Sequence, residues 1–147
     1  MNKKIRILMI DDNRSLIEMA KEYFSSHAVI DIILEAHDGR EGLQTILEHE
    51  GEYDLVLLDL VMPSKDGLYI LDELTRLKKM QNVIVISGLG KEETLRKVSA
   101  YGVKYYILKP FDFEDLESRI LESMSVVENK KSVNLGAANL HLLITKT

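Results

Sequence analysis

The chain has 147 residues, 46% hydrophobic and 29% charged, with a net charge of −5. This is an ordinary globular composition, large enough for one core and too acidic to grip a phosphate backbone by itself. The absence of cysteine excludes a disulfide framework, a thiolate zinc site and a cysteine nucleophile, and agrees with a reducing cytoplasm. No apolar run approaches the roughly 20 residues that cross a bilayer, and the first five residues lead straight into a strand pattern instead of a signal peptide. Neither a membrane nor nucleic acid is therefore expected as a partner of this chain itself.

In chain order, residues 5–10 are apolar apart from Arg6 and stop at Asp11-Asp12-Asn13, a strand followed by a helix-starting cluster. Leu16, Ile17, Ala20, Tyr23 and Phe24 then recur at helical spacing, with an exit at Ser25. Residues 29–36 read as a second strand and Asp38-Gly39 as its turn; Leu43, Ile46 and Leu47 mark a helix ending near Gly51. Residues 54–59 read as the third strand, whose apolar run from Leu55 to Leu58 is expected of a strand buried on both faces. It delivers one carboxylate, Asp59, before Pro63 and Asp66-Gly67 turn the chain into a helix carrying Leu68, Leu71, Leu74 and Leu77. Residues 82–86 form a fourth strand ending at Ser87-Gly88, and Leu95 and Val98 hold a short helix that stops at Gly102. Residues 105–108 form a fifth strand ending at Lys109-Pro110, and Asp112 caps a last helix through Leu116, Ile120 and Leu121.

This fivefold alternation predicts an α/β fold, a doubly wound five-stranded parallel sheet with strand order 2-1-3-4-5 and right-handed crossovers. Residues 1–125 form the domain. Residues 126–147, polar and then aperiodic with an apolar patch at 140–144, read as a linker or C-terminal tail. The predicted order sets strands one and three side by side, so Asp11, Asp12 and Asp59 crowd at one end of the sheet, with Ser87 and Lys109 on the neighbouring strand ends. Open parallel sheets bind ligands at that end.

Three carboxylates in one place repel one another, which a folded protein tolerates by binding a cation or taking up protons. All-oxygen ligands select a hard ion, so Mg²⁺ is the expected cofactor, with Mn²⁺ as a substitute. Lys109 and Ser87 supply the opposite half of a phosphoryl clamp, while a carboxylate oxygen of Asp59 attacks phosphorus in line, giving an aspartyl phosphate.

With these residues in order, the chain resembles a two-component response regulator receiver domain of the flavodoxin-like, CheY-like superfamily. The resemblance rests on Asp11-Asp12, Asp59, Met62-Pro63, Asp66-Gly67, Ser87-Gly88 and Lys109-Pro110-Phe111 at successive strand ends. The wording of residues 106–112, Tyr-Ile-Leu-Lys-Pro-Phe-Asp, is most similar to receiver domains of sporulation-initiation regulators. The resemblance implies that Asp59 accepts phosphate from a sensor histidine kinase or histidine phosphotransferase. It implies that Asp12 binds the metal directly, Asp11 mainly through water, and the backbone carbonyl of Val61 as a further ligand. It implies that Lys109 pairs with the phosphoryl group, that Lys109-Pro110 is a cis bond, and that Ser87 and Tyr106 switch the face made by helix four, strand five and helix five. Homodimerisation on phosphorylation, or control of transcription through a DNA-binding domain after Thr147, is the expected output; a stand-alone phosphorelay carrier is the alternative. Val61 and Leu89 occupy positions that tune phosphoryl loss in the family; both are apolar, so a long-lived phosphoryl group is expected.

Other readings are weaker. An aspartate-nucleophile phosphatase needs a second Asp two residues after the first, where this chain has Val61. A flavin-binding fold of similar topology needs a hydroxyl-rich phosphate loop where this chain has Asp11-Asp12-Asn13. A pseudo-receiver scaffold usually lacks one of the five strand-end residues. The four histidines have no ligand spacing, and Asp38 is ordinary turn chemistry. Of Tyr105 and Tyr106, one is expected to pack and the other, Tyr106, to switch.

Overall fold

A computed structural model describes residues 3–62, 65–88 and 92–129. Pro63, Leu89, Gly90 and the tail beyond residue 129, with its apolar patch at 140–144, lie outside the described residues. Strands β1 (Ile5–Ile10), β2 (Ile30–Ala36), β3 (Leu55–Asp59), β4 (Val83–Ser87) and β5 (Tyr105–Leu108) alternate with helices α1 (Arg14–Phe24), α2 (Gly39–Glu48), α3 (Gly67–Arg76), α4 (Glu92–Ala100) and α5 (Phe113–Asn129). The strands form one parallel sheet of order β2-β1-β3-β4-β5, as the alternation predicts. The chain divides into two compact units, Met1–Val83 and Ile84–Thr147.

In the first unit β1 is paired on both sides, with β2 and with β3. Every residue of β3 is buried, which is why it reads as a continuous apolar run with no polar alternation. Ile17, Ala20 and Phe24 on α1, Ile46 on α2, and Ile70, Leu71 and Leu74 on α3 complete this core at helical spacing. The edge strand β2 carries an irregularity: Ile7 pairs with Ile32 but Leu8 with Leu34, leaving Ile33 unpaired and partly exposed. Such a bulge twists an edge strand and blunts it against pairing with another chain.

In the second unit β4 pairs with β5 in register from Ile84↔Tyr105 to Ser87↔Leu108. Val98 on α4 and Leu116 and Ile120 on α5 are the buried apolar residues of these helices among those whose burial is described. The strand expected at 82–86 runs one residue later, Val83–Ser87, because the Lys109 N–H donates to the Ser87 carbonyl (2.8 Å) and extends the ladder to Ser87. Helix α5 continues to Asn129, four residues into the stretch read as linker.

Four helices start on an Asx cap in the connection that follows a strand. Side-chain oxygens of Asn13, Asp38, Asp66 and Asp112 accept from the backbone N–H groups of Leu16 (3.0 Å), Glu41 (2.8 Å), Tyr69 (3.1 Å) and Asp115 (2.8 Å). Each such cap is worth about 1 kcal/mol to its helix. The turn read at Asp38-Gly39 is thus the start of α2. That helix ends at Glu48, with His49 as its C-cap, short of the expected Gly51.

Candidate functional site

Asp11 and Asp12 follow the last residue of β1, and Asp59 is the last residue of β3. Pairing of β1 with β3 up to Ile10↔Leu58 brings these strand ends level. One carboxylate oxygen of each of Asp11, Asp12 and Asp59 lies within 4.8 Å of the others. Among the described residues, this is the one cluster of His, Cys, Asp or Glu whose ligand atoms converge.

The three members differ in setting. Asp11 is fully buried, its Oδ1 accepts from the Asn13 N–H (2.9 Å), and its own N–H donates to the Ala36 carbonyl (3.0 Å). Asp59 is 3% exposed, and its Oδ1 accepts a long bond from the Val61 N–H (3.4 Å). Asp12 is exposed. Buried carboxylates are stabilised by cations or hydrogen-bond donors, and an all-oxygen set at this spacing suits a hard divalent ion with oxygen ligands at about 2.1 Å and waters completing its shell. The residues present therefore fit the ion their chemistry selects. The Val61 side chain is 57% exposed at the rim.

The turn after β3 is held tightly. The Gly67 N–H donates to the Leu60 carbonyl (3.1 Å), and Asp66 caps α3. A Cβ on Gly67 would lie 2.5 Å from the Asp59 carbonyl oxygen, so only glycine permits this closure.

In the second unit, Ser87 ends β4 and is 3% exposed, and the Lys109 backbone is tied to it through the 2.8 Å bond to the Ser87 carbonyl. The Lys109-Pro110 peptide is cis, as the resemblance implied. Tyr105 and Tyr106 are both buried, at 7% and 9%, so burial does not separate a packing tyrosine from a switching one. They face opposite ways by strand alternation. Burial is the first cause raising the Tyr105 hydroxyl pKa, with the charge of Glu122 adding to it.

Sequence reasoning missed a charged network beside the site. His37 Nε2 lies 2.8 Å from Glu35 Oε2 and its Nδ1 lies 3.4 Å from Glu41 Oε1, while Lys21 Nζ reaches Glu35 Oε1 at 2.9 Å. The hydrogen bond from Lys21, then that from His37, holds the Glu35 carboxyl below its ordinary range. Only the alternation of Glu35 and His37 at the end of β2 hinted at it.

The sequence model of the response regulator receiver domain family matches residues 7–121. The chain belongs to that family. It is similar to a chain of the CheX–CheY–BeF3–Mg²⁺ complex from Borrelia burgdorferi (31% identity, 82% of this chain and 89% of that chain covered, TM-score 0.74). It is also similar to the receiver domain of the Francisella response regulator 1452 (27% identity, 84% and 99% covered, TM-score 0.74). It shares its fold with a CheY-like receiver domain protein from Methanospirillum hungatei JF-1 (24% identity, 86% and 98% covered, TM-score 0.74). Five parallel strands in the order 2-1-3-4-5 with five helices are the CheY-like flavodoxin fold. Among the described residues no helix is long and apolar enough to cross a membrane.

Proposed function

We propose that this chain is a phosphorylation-controlled switch in which Asp59 accepts a phosphoryl group from a phosphohistidine of a sensor kinase or histidine phosphotransferase. The observation that carries this is the convergence of Asp11, Asp12 and Asp59, two of them buried. The family's Borrelia relative, in a complex with BeF3 and Mg²⁺, supports Mg²⁺ as the ion, with Mn²⁺ as a substitute. Bound Mg²⁺ supplies neutralising charge to the carboxylates and to the phosphoryl oxygens.

The residues then divide the work. Asp12 would hold the metal directly and Asp11 mainly through water, joined by Asp59 and the Val61 carbonyl. One Asp59 oxygen forms the new O–P bond as the P–N bond to the partner's imidazole breaks and its electron pair remains on the imidazole nitrogen. Lys109 and Ser87 are assigned to the phosphoryl oxygens, one as a cation and the other as a hydroxyl donor. Moving a 1:99 equilibrium to 99:1 requires about 5.5 kcal/mol of differential stabilisation, a scale such charge-assisted contacts can supply. Ser87 and Tyr106 carry the change to the face of α4, β5 and α5. Signalling without turnover, in the cytoplasm, belongs to this reading, with self-association of the phosphorylated form or release of an attached output domain as its readout.

The wording of residues 106–112 supports a narrower placement beside sporulation-initiation regulators, with transcription as the controlled output. In the same reading the receiver runs through the end of α5 at Asn129, past the expected boundary at 125, and the residues that follow serve as a linker or C-terminal tail.

The test is intact mass after incubation with acetyl phosphate, with and without Mg²⁺, for the natural chain and for Asp59→Asn. One added phosphoryl group that requires both Mg²⁺ and Asp59 is the expected result. Continuous phosphate release without an adduct would point to a phosphatase, and no reaction with no Mg²⁺ binding would point to a scaffold.

A further inference from the structure

The start of α2 is stiff. Asp38 accepts from the Glu41 N–H at 2.8 Å, and Glu41 Oε2 accepts in return from the His37 N–H at 3.2 Å, so the first turn is tied at both ends. The residue between these ties, Gly39, is buried, and its Cα presses on the turn after β3. A Cβ placed on Gly39 would overlap the Lys65 carbonyl oxygen, and it would lie 2.5 Å from the Lys65 carbonyl carbon and 2.7 Å from the Lys65 Cβ. Most of these atoms are backbone, so no side-chain rotation relieves the overlap. The same turn is pinned at its far end, where Gly67 lies against the Asp59 carbonyl and bonds to Leu60. Between those two supports stand Val61 and its N–H bond to Asp59 Oδ1.

We propose that Gly39 is a positioning residue for the phosphoacceptor site: the capped start of α2 is the stop against which the turn after β3 rests, and the missing Cβ sets the height of Val61 and the orientation of Asp59. The role of Val61 in metal binding rests on the receiver reading; the seating of the turn on Gly39 does not. Supports of this outer kind typically change metal affinity by 10- to 100-fold when altered.

The experiment uses the full chain as Gly39→Ala, with Arg40→Ala, an exposed neighbour on the same helix turn, as the control. In metal-free buffer, amide spectra of Gly39→Ala are expected to shift at Asp59, Leu60, Val61 and Lys65 and to leave β1 in place. Its Mg²⁺ dissociation constant is expected to rise about tenfold, with phosphoryl uptake from acetyl phosphate slowed in step, while Arg40→Ala matches the natural chain. A purely structural role would lower the melting temperature and leave Mg²⁺ affinity unchanged in the folded protein, and that result overturns the proposal.

A second measurement needs no variant. In a Mg²⁺ titration of the natural chain, the Gly39 amide is expected to move with the same midpoint as Val61, and a stationary Gly39 beside a moving Val61 overturns the proposal. If Gly39→Ala does not fold, this titration decides. If the natural chain takes up neither Mg²⁺ nor phosphate, the receiver reading fails, and the metal-free shifts of Gly39→Ala alone decide whether the turn rests on Gly39.

Discussion

The Val61 N–H points back to Asp59 Oδ1 at 3.4 Å while its side chain stands in solvent at the rim of the acidic cluster. An isopropyl group there can neither accept nor donate a hydrogen bond, so it cannot orient an attacking water. Phosphorylated protein freed of its donor is therefore expected to decay slowly, and Val61→Asn to shorten the lifetime several-fold. The mass of the phosphoprotein followed over time checks both. A natural-chain half-life of seconds would sink the prediction.

The carboxylates of Asp11, Asp12 and Asp59 face one another across less than 4.8 Å, two of them out of water. Their mutual repulsion in the metal-free protein is expected to cost stability on the order of 1 kcal/mol. Asp59→Asn is expected to raise the metal-free melting temperature by about 3 °C, given roughly 2–4 °C per kcal/mol at about this size. Millimolar Mg²⁺ should stabilise the natural chain by mass action and the variant far less. Thermal scans with and without Mg²⁺ read both effects; a variant less stable than the natural chain in chelator would count against the repulsion.

Arg6 and Asp54, 48 residues apart, form a two-pronged pair: Nε donates to Oδ2 at 3.1 Å and Nη2 to Oδ1 at 3.0 Å, while the Arg6 backbone N–H also donates to Oδ2 at 2.8 Å. The Arg6 side-chain bond is the main cause holding the Asp54 carboxyl below its ordinary range. A folded carboxyl harder to protonate than the unfolded one stabilises the protein above the unfolded value, and that stabilisation is lost as pH falls through the folded value. Asp54→Ala is thus expected to lower the melting temperature modestly at pH 7, since the pair is partly exposed. The gap to the natural chain should close in acid below the Asp range. A gap that persists unchanged in acid contradicts the assignment.

The Tyr105 hydroxyl is buried without a hydrogen-bond partner among the described residues. An unmet buried hydroxyl costs free energy that its removal returns. Tyr105→Phe is expected to leave stability unchanged or to raise it by up to about 1 kcal/mol, measured by urea unfolding. A loss of similar size would mean that the hydroxyl has a partner after all.

Local pattern was enough for much of this molecule. Unbroken apolar runs define β3 and β4 because strands buried on both faces tolerate no polar alternation. Asn13, Asp38, Asp66 and Asp112 announce helix starts because an Asx oxygen meets the free N–H groups of a first turn. The strand order is the common doubly wound one for five alternating strands, and it sets Asp11, Asp12 and Asp59 at neighbouring parallel strand ends; that their oxygens converge is what the structure adds. What only the tertiary structure decided depends on register and close approach, which no neighbour in sequence dictates. The unpaired Ile33 in β2, the grip of Arg6 on Asp54, the burial of both Tyr105 and Tyr106, and the seat of Lys65 on Gly39 are all of that kind. In each, the energy comes from surfaces brought together by the fold, so a residue's own type records its propensity but not which distant atom it meets.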